Sequence, residues 1–222
     1  MEKELKELLG IISGGETLNT EFKQKFSEFE KIAKEFIAFA NTKGGKVIFG
    51  VRDNGKICGV HSEKEIEELT KKTVSEYIEP VIDFSFEYHE YQGKEIVVVN
   101  IPESQYKPHR IQDYKEELLV SEAQVYIRVN DKSVPASKEM IRILRVRSEE
   151  KPLYKYQVGK EEKRVFEFLE EFETINVKEL SEAANISKRR ASRTLVKMVR
   201  AGLLIIHTKE NGEEFFTYSG EV

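Results

Sequence analysis

The sequence predicts an α+β fold in which a mixed α/β domain is followed by a winged helix-turn-helix domain. Three observations lead to this prediction. Helical and strand patterns alternate over the first two thirds of the 222-residue chain, as they do in mixed α/β domains. A charged segment that contains Pro152 and has no sustained period then interrupts them, and three helical patterns and a hairpin pattern follow. We therefore predict a first domain over 1–148, a linker over 149–159 and a second domain over 160–222.

Composition favours a folded protein of the cytoplasm. Hydrophobic residues make up 39% of the chain and charged residues 34%, which provides both a core and a well-solvated surface. The single cysteine, Cys58, cannot form an intramolecular disulfide, which fits a reducing compartment. No stretch approaches the roughly 20 apolar residues that a membrane span needs, so we expect no membrane partner. With a net charge of −4, binding to a polyanion requires basic residues that are gathered locally.

Local patterns define the elements at the start of the first domain. In chain order we predict a helix over Glu2–Ile12, a strand over Thr20–Lys23, a helix over Phe29–Ala40, a strand over Lys46–Val51 and a return strand over Lys56–Val60. Both helices carry apolar residues at helical spacing. Gly44-Gly45 ends the second helix, and Asn54-Gly55 is typical of a hairpin turn.

The remaining elements of this domain follow the same alternation. We predict a helix from Ser62 to about Ile78, strands over Ile82–Tyr91 and Lys94–Ile101, a strand over Gln124–Val129 and a helix over Ser137–Val146. Ser62 is suited to cap its helix, and Glu65 stands where a capping box requires it. The two central strands flank a turn at Gln92-Gly93.

The second domain contains a helix with segregated charge. Two amphipathic helices come first, and Ser187 then caps a third that has no acidic residue before Gly202. At 100° per residue, the apolar residues of the third helix cluster on one side. Five cations cluster on the opposite side, and we call them the cation ridge: Arg189, Arg190, Arg193, Lys197 and Arg200.

A hairpin pattern follows the cation ridge. Leu203–Thr208 and Glu214–Tyr218 flank Asn211-Gly212, which predicts a two-stranded wing. In a winged helix the third helix enters the major groove and neighbouring cations hold phosphates, so we predict that the cation ridge binds nucleic acid. Two other interpretations are a merely solvated helix face and a winged helix used for dimerisation or protein contact. The wing acids favour the last, because Glu210, Glu213 and Glu214 would repel a phosphate backbone.

Three motifs occur in order in the first domain. They are Glu16-Thr17-Leu18-Asn19-Thr20-Glu21-Phe22-Lys23, Ala38-Phe39-Ala40-Asn41-Thr42-Lys43-Gly44-Gly45 and Gly50-Val51-Arg52-Asp53-Asn54-Gly55. Lys107-Pro108-His109 and Tyr126-Ile127-Arg128-Val129 follow. This pattern resembles the AlbA-like domain of the Schlafen family from about Glu2 to Val146. Prokaryotic members of that family with an appended winged helix are familiar.

The resemblance implies an acidic metal site. In nuclease-active Schlafens, two glutamates and an aspartate occupy the positions that are Glu16, Glu21 and Asp53 here. The implied activity is that of an endoribonuclease that uses Mg²⁺ or Mn²⁺ and acts on tRNA or other structured RNA. Clustered carboxylates suit these hard cations. Lys23 shares the strand face of Glu21 and is placed to meet a phosphate oxygen.

Each of these residues also has a simpler interpretation. Glu16 is an ordinary surface loop residue in that view, and Glu21 and Lys23 form a same-face ion pair. Asp53 is a favoured turn residue that needs no catalytic role. We do not expect ATP to bind, because Gly44-Gly45-Lys46 lacks the spacing of a phosphate-binding loop.

The sequence therefore predicts a nucleic-acid-binding protein, with DNA-binding transcription regulation as the first hypothesis. A metal-dependent ribonuclease and a protein-interaction adaptor are the alternatives. Animal Schlafen cores join two related lobes around a groove, and this chain carries one lobe, so the resemblance also implies a homodimer.

Overall fold

A computed structural model describes residues 2–148 and 156–219. The chain divides into two compact units, the first ending at Pro135 and the second beginning at Ala136. Most of the predicted linker, residues 149–155, lies outside the described residues. Within the described ranges, we find no helix whose length and apolar content would suit it to cross a membrane.

The first unit is a mixed α/β domain, as predicted. Its helices are α1 (Glu2–Gly14), α2 (Phe29–Asn41) and α3 (Glu63–Tyr77). Its strands are β1 (Thr20–Lys23), β2 (Gly45–Phe49), β3 (Ile78–Glu79), β4 (Ser85–Tyr91), β5 (Lys94–Ile101), β6 (Arg110–Ile111), β7 (Tyr126–Val129) and β8 (Lys132–Pro135). Four of them form a sheet in the order β1-β2-β5-β4, in which β1 and β2 are parallel and the other pairs antiparallel.

The central strands β2 and β5 carry consecutive apolar residues. Because successive side chains of a strand point to opposite sides, these residues make both faces of the sheet apolar there. On one face, Val47, Val97 and Val99 join the core formed with α2 and α3. On the other face, Phe22, Ile48 and Val98 pack with Leu8 and Ile12 of α1. Burial of such side chains contributes about 1.5–3 kcal/mol each. Helices on both faces therefore fix the strands that carry or flank Glu16, Glu21 and Asp53, which we call the acidic motif.

One local prediction for the first unit was wrong, and three short strands, β3, β6 and β8, were missed. The return strand predicted over Lys56–Val60 is reduced to a single bridge between Val51 and Ile57, because Gly59 has a φ of 80° and turns the chain towards β5. Strand β8 was not predicted. It contains Pro135 and lacks apolar alternation, and it pairs with β7 across a turn in which Asn130 has a φ of 55°.

The second unit has the predicted order of elements. Its elements are α4 (Lys138–Ser148), α5 (Lys160–Phe172), α6 (Val177–Ala183), α7 (Lys188–Arg200), β9 (Leu204–Thr208) and β10 (Glu214–Tyr218). The three helices after α4 share a core with the hairpin through Leu169, Leu180, Leu195 and Phe216. A backbone bridge between Ile175 and Phe216 ties the hairpin to the segment before α6.

Helix α4 falls in the second unit, whereas the predicted boundary at residue 148 assigns it to the first domain. The reason is a set of polar contacts that a sequence pattern does not show. Ser192 of α7 donates a hydrogen bond to Glu139, and Arg142 Nη1 lies 3.0 Å from Ser192 Oγ. Ser137 Oγ donates to Glu214 Oε2 at 2.6 Å. These contacts hold the beginning of α4 against α7 and the hairpin.

Candidate nucleic-acid interface

Helix α7 separates its core face from its charged face. Ser187 caps the helix by accepting a hydrogen bond from Arg190 N at 3.3 Å. Ala191, Leu195 and Met198 are fully buried on one side. All five residues of the cation ridge are exposed on the other. The ridge therefore faces solvent, as its helical spacing predicts.

Two residues of the cation ridge have partners on or before α5. Arg190 Nη2 lies 2.6 Å from Glu161 Oε1. The ammonium of Lys197 lies 5.1 Å from the ring centroid of Tyr156, a cation–π distance. Both cations remain exposed, but these contacts restrict the orientations of their side chains.

The other three cations of the ridge have no carboxylate within ion-pair distance among the side chains that the structure describes. They are Arg189, Arg193 and Arg200. Exposed cations without acidic neighbours are available to phosphates, because no carboxylate of the described side chains competes for their charge. These three residues are the strongest candidates for phosphate contacts on α7.

The cations in the first turn of α7 do not serve helix stability, whereas Lys197 and Arg200 in its last turn suit the helix dipole. Lys188, Arg189 and Arg190 occupy its first turn, where the helix dipole is positive and each cation is unfavourable by a few tenths of a kcal/mol. The same free backbone N–H groups favour a bound anion. Cations at this end of the helix therefore fit an external polyanion better than they fit an isolated domain.

The hairpin after α7 carries mixed charge. Lys209 Nζ lies 3.3 Å from Glu213 Oε2 beside the turn, so the predicted repulsion from Glu213 is partly offset. Glu214 is only partly exposed. Burial raises its pKa to about 7, and the charge of Glu139 adds to that rise, while hydrogen bonds from Ser137 and Thr208 oppose it.

Glu16, the first carboxylate of the predicted triad, is partly buried beside β1. Glu16 Oε1 accepts a hydrogen bond from Phe22 N at 2.9 Å, which satisfies a donor of edge strand β1. Burial raises the pKa of Glu16, and the charges of Glu21 and Asp53 raise it further. The Phe22 N–H and the charge of Lys23 lower it. The charges of the other two triad members, Glu21 and Asp53, therefore both act on Glu16, although Asp53 is exposed.

Glu21 is committed to two cations. Its Oε1 forms the predicted same-face ion pair with Lys23, and its Oε2 lies 2.9 Å from Arg128 Nη1. The Glu21 side chain is 10% exposed and that of Arg128 is fully buried. The sequence reasoning did not identify Arg128 as a partner of Glu21, although a charged residue between Ile127 and Val129 on an apolar strand was a visible signal.

The described side chains do not fit a three-ligand metal site. In the two described ranges, no group of three or more His, Cys, Asp or Glu side chains is arranged to hold a metal ion. Both oxygens of Glu21 already contact cationic groups, and Glu16 accepts a backbone hydrogen bond. The charges of Glu21 and Asp53 act on Glu16, but the three carboxylates are not arranged to bind one metal ion.

Comparison with known proteins identifies the first unit. Residues 16–137, more than half of the chain, match the model of the Schlafen AlbA_2 family. The chain belongs to the Schlafen AlbA_2 family. The match begins at Glu16 and includes the acidic motif as well as Arg128, and it is narrower than the span from Glu2 to Val146 over which the sequence shows the resemblance.

Solved structures show more distant likenesses to this Schlafen AlbA_2 protein. The N-terminal domain of an ATP-dependent DNA helicase RecG-related protein from Nitrosomonas europaea is 23% identical, with a TM-score of 0.39, and the match covers 50% of this chain and 81% of that one. A protein from Corynebacterium diphtheriae is 14% identical with a TM-score of 0.46, over 91% of this chain and 34% of that one. The chain therefore spans about a third of the second protein. Both TM-scores are below 0.5, so the family rests on the AlbA_2 match.

Proposed function

We propose that this protein is a nucleic-acid-binding protein whose second unit acts as a winged helix and binds DNA through the cation ridge. The observation that carries the proposal is the exposed row of five cations on a helix without acidic residues. DNA-binding transcription regulation is the role that fits such a module. The first unit then supplies dimerisation or further phosphate contacts.

The physical basis is the exchange of counterions for protein cations. A DNA duplex carries a condensed layer of cations, and lysine and arginine side chains release them when they neutralise phosphates. The chain as a whole has a net charge of −4, so bulk attraction does not supply this binding. The local excess of positive charge on α7 has to supply it.

The double substitution Arg193→Ala with Lys197→Ala tests the proposal. It removes two ridge cations from exposed positions, so affinity for a fluorescently labelled DNA duplex should fall by about tenfold or more at moderate salt. Fluorescence anisotropy measures the affinity. The matched control is Lys64→Ala with Lys71→Ala on α3, which removes the same charge from exposed ion pairs of the first unit. An equal loss of affinity in the two variants would count against the ridge.

We also propose that the protein is a homodimer. The basis is the resemblance to animal Schlafen cores, in which two related lobes form one groove while this chain supplies one lobe. Light scattering coupled to size exclusion should give about twice the chain mass of 25.8 kDa. A monomer at working concentration would contradict the dimer and leave DNA binding by α7 untouched.

Two alternatives remain as predictions with their own tests. The ribonuclease predicts cleavage of tRNA in the presence of Mn²⁺ or Mg²⁺, and Glu21→Gln should abolish it. The side-chain arrangement around Glu21 does not favour this activity. The protein-interaction adaptor predicts that neither DNA nor RNA binds at physiological salt, in which case the exposed face of α7 contacts a protein.

A further inference from the structure

Arg128 occupies the centre of a buried cluster of charges in the first unit. Its guanidinium contacts side chains from several elements. Nη1 lies 2.9 Å from Glu21 Oε2, 3.2 Å from Glu35 Oε2 and 3.2 Å from Ser133 Oγ. Nη2 donates to the carbonyl oxygen of Thr17 at 2.8 Å. The guanidinium carbon also lies 4.7 Å from the ring centroid of Phe39.

The ion-paired members of the cluster are equal numbers of cations and carboxylates. They are two cations, Arg128 and Lys23, and two carboxylates, Glu21 and Glu35, with side-chain exposures of 0%, 24%, 10% and 15% respectively. Ser133 donates a further hydrogen bond to Glu35. A buried charge that loses its partner is strongly destabilising, so each member depends on the others.

The cluster joins segments that are distant along the chain. Arg128 lies on β7, Glu21 and Lys23 lie on β1, and Glu35 lies on α2. The backbone N–H of Arg128 donates to Thr42 Oγ1 at 2.9 Å, which fixes the strand beside the end of α2. The guanidinium therefore holds the β7 segment against the sheet and α2 at the position of the acidic motif.

A divalent cation on Glu21 would conflict with this arrangement. Metal–oxygen bonds of about 2.0–2.1 Å would place the double positive charge of the ion within a few ångströms of both Arg128 and Lys23. Repulsion between charges at that distance is large where burial limits screening. Binding of the metal would therefore require Glu21 to leave both cations.

We infer that Glu21 is the carboxylate of a buried structural ion pair with Arg128 and is not a divalent-metal ligand in this protein. Glu16 then satisfies the edge of β1, and Asp53 is a turn residue. The acidic motif of the first unit has a structural role here. This inference concerns the first unit alone and does not depend on DNA binding by α7.

The test is a titration of the full-length protein with Mn²⁺ as the probe, followed by calorimetry and by electron paramagnetic resonance of free Mn²⁺. We expect no saturable binding tighter than about 1 mM, the weak end of protein cation sites. Melting should not change between Mn²⁺ and a chelator. Glu21→Gln and Arg128→Met should each lower the melting temperature by about 10 °C. Glu28→Gln, which removes an exposed carboxylate paired with Lys31, should leave it within about 2 °C.

Two further results decide between an ion pair and a metal site. The double variant Glu21→Gln with Arg128→Met should lose less thermal stability than the sum of the single losses, because both remove the same interaction. Stoichiometric Mn²⁺ binding to the unsubstituted protein that disappears in Glu21→Gln and persists in Glu28→Gln would overturn the inference. Mn²⁺-dependent tRNA cleavage that is lost in Glu21→Gln and retained in Glu28→Gln would also overturn the inference. If either single variant does not fold, the titration of the unsubstituted protein decides alone.

Discussion

The two units use charge in opposite ways. In the first unit, Arg128 is fully buried and has carboxylates at 2.9 and 3.2 Å. In the second unit, Arg193 is exposed and has no ion-pair partner among the described residues. A paired, buried charge contributes to the folded state, and an exposed, unpaired charge remains available to a ligand. Under the proposed function, the buried pair of the first unit acts in folding and the cation ridge of the second unit acts in binding.

The largest expected effect is on stability when the buried arginine is replaced. Arg128→Met should lower the free energy of unfolding by about 3–5 kcal/mol, because two carboxylates lose their buried partner. Arg193→Ala should change it by less than about 0.5 kcal/mol, since the side chain is exposed. Denaturant unfolding measures both values, and amide exchange at Val98 and Leu195 assigns each loss to a unit. Equal effects of the two substitutions would remove the distinction.

Glu214 offers a third case, a largely buried carboxylate held by hydroxyl groups. Its pKa is raised from 4.5 to about 7, so the folded state binds a proton that the unfolded state has released between those values. The unfolding free energy therefore falls as pH rises from 4.5 to 7 and changes no further from this group above pH 7. Glu214→Gln should be more stable than the unsubstituted protein by about 3 kcal/mol at pH 8.

The stability difference for Glu214 should depend on pH in one direction. It should shrink as the pH falls below 7 and vanish below about pH 3.5, where Glu214 is protonated in both the folded and the unfolded state. Denaturant unfolding at several pH values measures this difference. Glu213→Gln is the control, since Glu213 is exposed and paired with Lys209. A Glu214 effect that is constant from pH 4.5 to 8 would contradict the raised pKa.

A smaller effect should follow when the partner of Arg190 is removed. Glu161→Gln deletes the only carboxylate that forms an ion pair with the cation ridge among the described residues. DNA affinity should rise about two- to threefold at low salt, in keeping with the modest energy of exposed pairs. Glu167→Gln on the same helix removes a carboxylate paired with Arg164 instead. A rise of the same size in both variants would indicate a general charge effect.

Features that depend on local periodicity could be predicted from the sequence. The outward direction of the cation ridge follows from 3.6 residues per turn, and Ser187 marks the start of its helix. Four sheet strands, β1, β2, β4 and β5, were predicted within a few residues. Each of these predictions uses information that lies within one segment of the chain.

Features that depend on distant contacts could not be predicted in this way. Arg128 lies 107 positions beyond Glu21, so the motif that contains Glu21 does not reveal its partner. The pairing of Ser192 with Glu139 likewise joins α7 to a helix that the sequence assigned to the other domain. Charge type is visible in a sequence, but whether that charge is compensated depends on the fold.

The salt dependence of DNA binding tests the central claim most directly. The slope of log affinity against log salt concentration counts the phosphates that the protein neutralises, at about 0.9 per phosphate. Arg193→Ala with Lys197→Ala should make the slope shallower by about 2, while Lys64→Ala with Lys71→Ala should leave it as in the unsubstituted protein. Equal slopes in the unsubstituted protein and the ridge variant would contradict DNA binding by the cation ridge.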